Sequence, residues 1–339
     1  MNAYYRPIVH FHTPRPDGAL DLAGGPGWFS HAVRHERGQA ERHVPVNDLP
    51  EIWRIRLSAP RPPVCGLDLS VPRLMGILNV TPDSFSDGGQ NTGAVRALAR
   101  ARQMRADGAH LIDVGGESTR PGAPEVPIEA EIARIEPVIN ALRHEMPLPV
   151  SIDTRKAQVA QVALSAGAGL INDVSGFTFD PALAPLAAAR GVPVCIMHMR
   201  GTPEIMQDNV HFDDVLLDVY DALDERISAL EALGIARHKM IVDPGIGFGK
   251  HIGHNLTLLS KLSLFHGLGC ALLIGASRKG FIGQITGAHP AAARVHGSVV
   301  AALAAAQQGA QILRVHDVAE TAQALAMWRA IFMGEYHDA

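Results

Sequence analysis

The sequence predicts an α/β protein that forms one (β/α)₈ TIM barrel with a small N-terminal extension. Eight short apolar runs recur between residues 74 and 317, and each ends in an Asp, Asn, His, Lys or Arg residue. Helical patterns lie between the runs, and eight strand–helix units in roughly 270 residues match such a barrel. A doubly wound sheet is the alternative that periodicity alone does not exclude. The position of the polar residues favours the barrel, because the carboxyl ends of its strands meet at one mouth.

Each apolar run is predicted to be a buried parallel strand, because short runs bounded by turn residues are typical of such strands. The first run carries Asn79 near its end, and an unpaired buried amide costs roughly 1–3 kcal/mol. Asn79 therefore has either a structural partner or a ligand. The runs span residues 74–80, 111–117, 150–155, 170–176, 193–199, 240–245, 271–279 and 312–317.

Helices are predicted between these strands from apolar spacing and from glycines that follow the last helical residue. Asn255 is expected to cap the helix that precedes the seventh strand, and the segment that begins at Arg278 is expected to start a helix whose N-terminus attracts anions. The other predicted helices span residues 94–106, 129–145, 156–166, 181–190, 212–233, 291–308 and 319–332, and the one with Asn255 spans 255–265.

Composition narrows the functional class. The chain has 339 residues, 47% of them hydrophobic, which suffices for one large core and an appendage. The net charge of −4 does not indicate nucleic-acid binding. No apolar segment reaches membrane-spanning length and no signal-peptide core is present, so no membrane association is expected. Cys65, Cys195 and Cys270 form no Cys-x-x-Cys pair, which favours reduced thiols in the cytoplasm and no zinc site.

Residues 1–65 do not follow the strand–helix rhythm and are assigned to an extension of unknown role, with the barrel at 66–339. Segments 29–33 and 41–46 are expected to form a hairpin, and 48–55 a short helix. Five histidines lie in this part; a metal site is an alternative, but solvated side chains are favoured. We expect the extension to pack on the barrel away from its mouth.

Two segments resemble the signatures of the dihydropteroate synthase family: Asn-Val-Thr-Pro-Asp-Ser-Phe-Ser-Asp-Gly-Gly at 79–89 and Asp-Val-Gly-Gly-Glu-Ser-Thr-Arg-Pro-Gly at 113–122. The resemblance covers about residues 67–335, and it departs from the family pattern at Ile246 and Gly280. It implies a (β/α)₈ barrel and the reaction of 6-hydroxymethyl-7,8-dihydropterin pyrophosphate with p-aminobenzoate. The match continues at 152–154, 171–173, 197–199, 243–250, 277–279 and 314–317.

The resemblance implies a pterin site whose chemistry the residues support. Buried carboxylates accept the paired N–H donors of a pterin edge in strong, charge-assisted bonds, and Lys279 can donate to its carbonyl side. Phe248 or the planar guanidinium of Arg314 can cover a ring face. By resemblance the pterin-binding residues are Asp153, Asn172, Met197, Asp243, Phe248, Lys279 and Arg314.

The resemblance also implies a site for pyrophosphate and Mg²⁺. Arg314 and His316 are two residues apart on one strand, so both side chains can reach the same ligand. For His316 taken alone, a core histidine with its own hydrogen-bond partner is the favoured interpretation. Asn79 is the expected Mg²⁺ contact, because a neutral oxygen suits a hard cation that phosphate and water hold. Thr119 completes the pyrophosphate set.

For p-aminobenzoate the implied contacts come from two loops and one strand end. They are Phe85, Thr119, Arg120, Pro121, Ser277 and Lys279. The loops are expected to close over this second substrate only after pterin and pyrophosphate have bound. Sulfonamides are expected to compete with p-aminobenzoate, and a homodimer is implied by the resemblance.

Two rival functions are weighed against the synthase. A methyltetrahydrofolate-dependent methyltransferase shares the barrel but needs neither the Ser-Phe-Ser-Asp-Gly-Gly loop nor the Arg-Val-His pair. A pterin-binding paralogue without synthase activity is expected to lose Asn79, Arg314, His316 or the Thr-Arg-Pro loop, and all are present. In the favoured mechanism pyrophosphate leaves the pterin methylene carbon and the aniline nitrogen attacks, with no enzyme nucleophile.

Overall fold

A computed structural model describes residues 3–80, 90–118, 123–200 and 210–335. The chain begins with the N-terminal extension, in which three strands form an antiparallel sheet and the hairpin predicted around residues 36–39 is confirmed. A short helix follows three residues later than expected. The elements are β1 (Tyr4–Pro7), β2 (Leu20–Asp21), β3 (Trp28–Phe29), β4 (His31–His35), β5 (Arg42–Pro45) and α1 (Glu51–Ser58).

The predicted barrel is confirmed. Eight strands close in the order β10-β11-β12-β13-β6-β7-β8-β9, and every pair is parallel. Parallel neighbours require crossover connections, which the intervening helices provide. The strands are β6 (Arg73–Asn79), β7 (Leu111–Gly115), β8 (Val150–Asp153), β9 (Leu170–Asp173), β10 (Val194–Met197), β11 (Met240–Asp243), β12 (Ala271–Ile274) and β13 (Ile312–Val315).

The helices follow the predicted order, and several end at a glycine in the left-handed conformation, such as Gly167 with φ of 116°. None of the described helices has the length and apolarity that crossing a membrane requires. The helices are α2 (Gln90–Ala106), α3 (Ile128–Glu145), α4 (Ala157–Ala166), α5 (Leu183–Arg190), α6 (Val215–Ala232), α7 (Ile252–Ser260), α8 (Gly280–Thr286), α9 (Val295–Gln307) and α10 (Val318–Met333).

The prediction that Asn255 caps a helix was wrong. Helix α7 already begins at Ile252, with His251 as its N-cap, and a separate 3₁₀ segment, Leu262–Leu268, follows it. Asn255 is buried inside α7, where its side chain accepts a hydrogen bond from Gly247 N at 2.7 Å. The amide serves the preceding loop instead of the helix end.

Alternate residues of each strand point into the barrel. Their side chains form two layers, one above the other along the barrel axis. The lower layer lies at the amino ends of the strands and is apolar. It consists of Met75, Leu111, Leu170, Cys195, Ile241, Ala271, Leu273 and Ile312, and it packs on Val64 and Leu69, which precede β6. The upper layer lies nearer the carboxyl ends and consists of Asp113, Asp153, Asn172, Met197, Asp243 and Arg314.

The extension packs mainly on the outside of the barrel and at its amino end. Trp53 of α1 lies against Gly267, where a Cβ would stand only 2.1 Å from the indole ring. Tyr4 donates a hydrogen bond to Asp221 of α6 at 2.7 Å. The hairpin turn places Arg37 on the first turns of α6, towards the mouth end of that helix. The packing therefore agrees with the expected position for the body of the extension, while the hairpin turn reaches further.

Candidate active site

An arginine occupies the centre of the upper layer. Arg314 Nε lies 2.6 Å from Asp113 Oδ2, and its Nη2 lies 2.6 Å from Asp153 Oδ2. Asn172 donates a hydrogen bond to Asp113 Oδ2 at 3.0 Å. Burial disfavours the charged guanidinium, but Asp113 and Asp153 outweigh this effect and raise the pKa of Arg314 above its ordinary value. The strand ends thus hold a buried cluster of two acids, one amide and one cation.

Two carboxylate oxygens of this cluster have no hydrogen-bond partner in the described part of the chain. They are Asp113 Oδ1 and Asp153 Oδ1, and both are buried. Burial raises the pKa of Asp153 to about 7; Arg314 opposes this rise and Asp113 adds to it. Because buried polar atoms normally find partners, the two oxygens indicate a ligand that brings hydrogen-bond donors.

Asp243 stands at the end of β11, where a glycine-rich loop folds against the neighbouring strand. Its Oδ1 accepts a hydrogen bond from Gly245 N at 2.7 Å, and its carbonyl accepts one from His198 N at 2.9 Å. Burial raises the pKa of the Asp243 carboxyl. Gly245 has φ of 71°, and a Cβ there would lie 1.9 Å from His198 O, so this position requires glycine.

An apolar surface adjoins Asp243. Phe248, Met197 and Val174 pack together, and the Lys279 ammonium lies 3.8 Å from the centre of the Phe248 ring. Burial lowers the pKa of Lys279 to about 8, and Arg314 adds to this effect. The arrangement provides a flat aromatic side and a cation next to the carboxylates, which suits a planar polar heterocycle.

His316 and Ser277 form a pair just beyond the ends of β13 and β12. His316 Nδ1 lies 3.0 Å from Ser277 Oγ. Burial lowers the pKa of His316 to about 3, and the nearby Arg314 guanidinium contributes. The imidazole is therefore neutral at pH 7, so it can serve an anion as an N–H donor but not as a second positive charge.

Asn79 ends β6 half-buried, and its side chain makes no hydrogen bond to another described residue. A Cβ on Gly115 would lie 3.6 Å from Asn79 Oδ1 and 3.7 Å from Asp153 Oδ2. Asn79 Oδ1 therefore lies close to the carboxylate layer but is not engaged by it. Since Mg²⁺ accepts few protein oxygens together with water and substrate phosphate, the neutral oxygen of Asn79 fits a Mg²⁺ that phosphate and water mainly hold.

Several predicted contacts lie outside the described residues. These are Phe85 of the first loop and Thr119, Arg120 and Pro121 of the second loop. Their assignments stay predictions. Among the described residues, the structure brings Asp153, Asn172, Met197, Asp243, Phe248, Lys279, Arg314, His316, Ser277 and Asn79 to the same end of the barrel.

Asp113, which bonds both Arg314 and Asn172, was not among the predicted site residues. Its place in an apolar run followed by Gly-Gly was a usable signal. Lys250 and His198 were not predicted either; Lys250 Nζ lies 2.9 Å from His198 Nδ1, next to the glycine-rich loop. No pattern in the sequence shows that a lysine after a loop turns inward.

A buried ion cluster that joins residues after β7, β8 and the start of α3 was not predicted from the sequence. Lys156 Nζ bonds Glu131 Oε2 at 2.9 Å and pairs with Glu117, which also pairs with Arg155. The side chains of Glu117, Glu131, Arg155 and Lys156 are all less than one tenth exposed. The cluster fixes Glu117, which precedes the second loop, to the residues that follow Asp153.

Comparisons with known proteins agree with this geometry. The profile of the family described as pterin binding enzyme matches residues 75–316. The chain is 47% identical over 264 residues to dihydropteroate synthase of Escherichia coli strain K12, across 78% of this chain and 93% of that protein. It resembles the structure of Xanthomonas albilineans dihydropteroate synthase with 4-aminobenzoic acid, with a TM-score of 0.74 and 48% identity over 78% of this chain and 94% of the other. It also resembles the structure of Yersinia pestis dihydropteroate synthase in a sulfonamide complex, with a TM-score of 0.75 and 47% identity over 80% of this chain and 98% of the other.

Proposed function

The chain belongs to the dihydropteroate synthases of the pterin binding enzyme family, and we propose how its upper layer carries out their reaction. The enzyme condenses 6-hydroxymethyl-7,8-dihydropterin pyrophosphate with p-aminobenzoate to form 7,8-dihydropteroate and pyrophosphate. The observation that carries the assignment of roles is the pair of buried carboxylate oxygens on Asp113 and Asp153 that have no partner among the residues the structure describes.

The pterin is bound in the upper layer. Asp153 and Asp243 accept its N–H donors, and Asn172 completes the edge. Both acids have a raised pKa because they are buried, and donors from the pterin stabilise the ionised forms. Phe248 covers one ring face beside Met197, and the Lys279 ammonium above Phe248 donates to the pterin carbonyl side.

Pyrophosphate is bound beyond the pterin by groups whose donors are still free. Asp113 and Asp153 engage Nε and Nη2 of Arg314, whereas its Nη1 has no partner among the described residues. His316 engages Ser277 through Nδ1, which leaves Nε2 for the anion. Asn79 and Thr119 complete this set. Mg²⁺ held by Asn79 and the pyrophosphate oxygens would neutralise negative charge on the leaving group.

The chemistry requires a stabilised leaving group and a dry site. Arg314 and His316 hold pyrophosphate as its bond to the pterin methylene carbon breaks, and the resulting cation is delocalised into the pterin. The aniline nitrogen of p-aminobenzoate then attacks this carbon and loses a proton. Fixed donors in a buried site act more strongly than donors in water, so no side chain needs to act as a nucleophile.

p-Aminobenzoate is bound at the outer rim of the mouth. Ser277 and Lys279 supply donors for its carboxylate, and the first and second loops supply Phe85, Thr119, Arg120 and Pro121. Sulfonamides resemble p-aminobenzoate in shape and charge, and they compete for this position. We further propose that the enzyme acts in the cytoplasm as a homodimer; its three cysteines are free, as expected of a reducing compartment.

The direct test is pyrophosphate release from both substrates in the presence of Mg²⁺, together with calorimetric binding of the pterin substrate. Asp243→Ala and Lys279→Ala should each weaken pterin binding by roughly 1.5–3 kcal/mol, because each leaves a buried partner unpaired. Lys261→Ala, which removes a half-buried surface ion pair with Glu41 and no assigned site residue, serves as control. Unchanged affinity in both site variants would refute the assigned roles, and a wild type without turnover would refute the activity.

A second test addresses the order of binding. Labelled p-aminobenzoate should bind weakly to the empty enzyme and more tightly once a pterin, pyrophosphate and Mg²⁺ are present. Arg314→Ala and His316→Ala should remove this gain, because a ligand shifts an equilibrium only through its differential contacts. Equal affinity under all conditions would show that the second site is preformed.

A further inference from the structure

The loop after β11 carries two pterin-binding residues but has little regular structure of its own. It runs from Asp243 to Lys250, and three of its glycines have positive φ, between 58° and 81°. Glycine at such positions leaves the chain conformationally free in the absence of other restraints. The positions of Asp243 and Phe248 therefore depend on side chains that tie this loop to its surroundings.

Lys250 is the side chain that holds this loop in place through buried hydrogen bonds. It is only 3% exposed, and its ammonium lies close to three acceptors. Nζ lies 2.9 Å from His198 Nδ1, 3.2 Å from His198 O and 3.0 Å from Phe248 O. One ammonium thus joins the backbone of the loop at Phe248 to the residue that follows the neighbouring strand β10.

His198 is itself bonded to the other end of the loop. Its N–H donates to Asp243 O at 2.9 Å, and its carbonyl lies where a Cβ of Gly245 would be. The hydrogen bonds of Lys250 and His198 therefore form a closed ring, which includes the backbone of both Asp243 and Phe248. A shift of either residue would stretch one of these bonds.

Asn255 restrains the same loop from the opposite side. Its Oδ1 accepts the Gly247 N–H at 2.7 Å, and its Nδ2 donates to Lys250 O at 3.2 Å. Asn255 thus fixes the loop at Gly247 and Lys250, and Lys250 fixes it at Phe248.

The charge of Lys250 is not explained by an ion pair. No carboxylate of the described residues lies within 4 Å of its Nζ. Burying an ammonium among neutral acceptors costs stability relative to an apolar side chain of similar length. Burial lowers the pKa of Lys250 to about 7, and the nearby Asp243 opposes this effect. What the amino group provides is N–H donors that serve several acceptors from one point, which a methionine at this position does not supply.

We propose that Lys250 is a positioning residue for the pterin site, where it fixes the backbone of Asp243 and Phe248 so that the carboxylate and the ring face one ligand. The inference rests on the proposed binding of pterin by these two residues. Lys250 does not touch the substrate; it acts through the loop. Because the loop contacts pterin equally before and during the reaction, loss of Lys250 reduces uniform binding.

The experiment compares Lys250→Met with the wild type and with Lys239→Met as the matched control. Lys239 precedes the same strand at its amino end and donates to Gly191 O at 2.7 Å, away from the mouth. In Lys250→Met the KM for the pterin substrate should rise about tenfold, since small misplacement of binding groups has effects of this size or more. The kcat and, at saturating pterin, the KM for p-aminobenzoate should stay within about twofold of wild type.

A milder variant keeps the inference testable if Lys250→Met does not fold. Asn255→Asp retains the acceptor for Gly247 but loses the donor to Lys250 O and His251 O, and it should raise the same KM by a smaller factor. Unchanged pterin KM in a folded Lys250→Met enzyme, or an equal loss in kcat and in both KM values, would overturn the inference. A wild type that neither binds pterin nor turns over would instead overturn the proposed function.

Discussion

The two layers of the barrel interior share the same strands but differ in what they do. Leu111 and Asp113 are two residues apart on β7, as are Ile312 and Arg314 on β13, and all four side chains are in the interior. The lower layer is apolar and packed, so it contributes to folding. The upper layer buries charges and, within the described ranges, leaves two carboxylate oxygens without hydrogen-bond partners, which costs stability. The difference shows that one strand can carry the core at its start and the chemistry at its end.

Arg314→Met should cause the largest effect. It removes the cation that Asp113 and Asp153 share, together with the proposed pyrophosphate donor. We expect pyrophosphate release to fall by at least about 100-fold, the usual loss when a charge-stabilising donor is removed from an active site.

The control for this change lies one layer down on the same strand. Ile312→Val should lower the free energy of unfolding by roughly 0.5–1.5 kcal/mol and leave turnover of the folded enzyme unchanged. Urea denaturation and the release assay measure both quantities. Comparable activity losses in the two variants would show that the layers are not functionally distinct.

Leu111→Ala tests the lower layer directly. The side chain is fully buried, and its truncation leaves a cavity among the other apolar members. The free energy of unfolding should fall by about 2–5 kcal/mol, while the KM values of the remaining folded enzyme stay near those of wild type. Asp113→Asn, on the same strand, should show the reverse: a large activity loss with a smaller change in the urea midpoint.

Buried histidines extend the comparison to pH. His266, near the amino end of the barrel, bonds Gln308 O at 3.0 Å, and burial lowers its pKa to about 3. The unfolded chain takes up this proton below about pH 6.5 and the folded chain does not. Stability therefore falls with acidification, by about 1.4 kcal/mol per pH unit for such a group.

Between pH 7 and pH 5, the free energy of unfolding of His266→Gln should consequently fall by about 2 kcal/mol less than that of wild type. The exposed change His238→Gln is the control. The difference between variants is the useful measure, because Asp153, with its pKa raised to about 7, changes stability in the opposite direction: it binds a proton in the folded state. Urea titrations measure the free energy of unfolding at each pH. If it depends on pH in the same way in wild type and His266→Gln, the lowered pKa of His266 is contradicted.

The smallest effect is expected at the surface of the extension. Arg37 bonds Asp218 and Asp221 at 2.6 Å each, but its side chain is 44% exposed. Exposed ion pairs contribute about 0–1 kcal/mol, so Arg37→Met should lower the urea midpoint slightly, less so at high salt. Turnover should be unchanged. A clear activity loss at equal stability would show that the hairpin turn influences the mouth.

Much of the fold was accessible from the sequence. The eight apolar runs fixed the number of strands, and the polar residue after each run gave the direction of the mouth, because barrel strands are parallel and alternate in burial. Asn255 was misassigned, since an Asn before an apolar segment is typical of a cap. Its role in binding Gly247 depends on a loop that approaches from outside the helix.

The sequence by itself determined the barrel, its family and most of the residues that gather at its mouth. Only the tertiary structure decided their pairing: that Arg314 divides its donors between Asp113 and Asp153, and that Lys250 points inward to His198. The physical reason is that strand periodicity is local and can be counted along the chain, whereas hydrogen bonds between strands 40 to 200 residues apart depend on how the barrel closes.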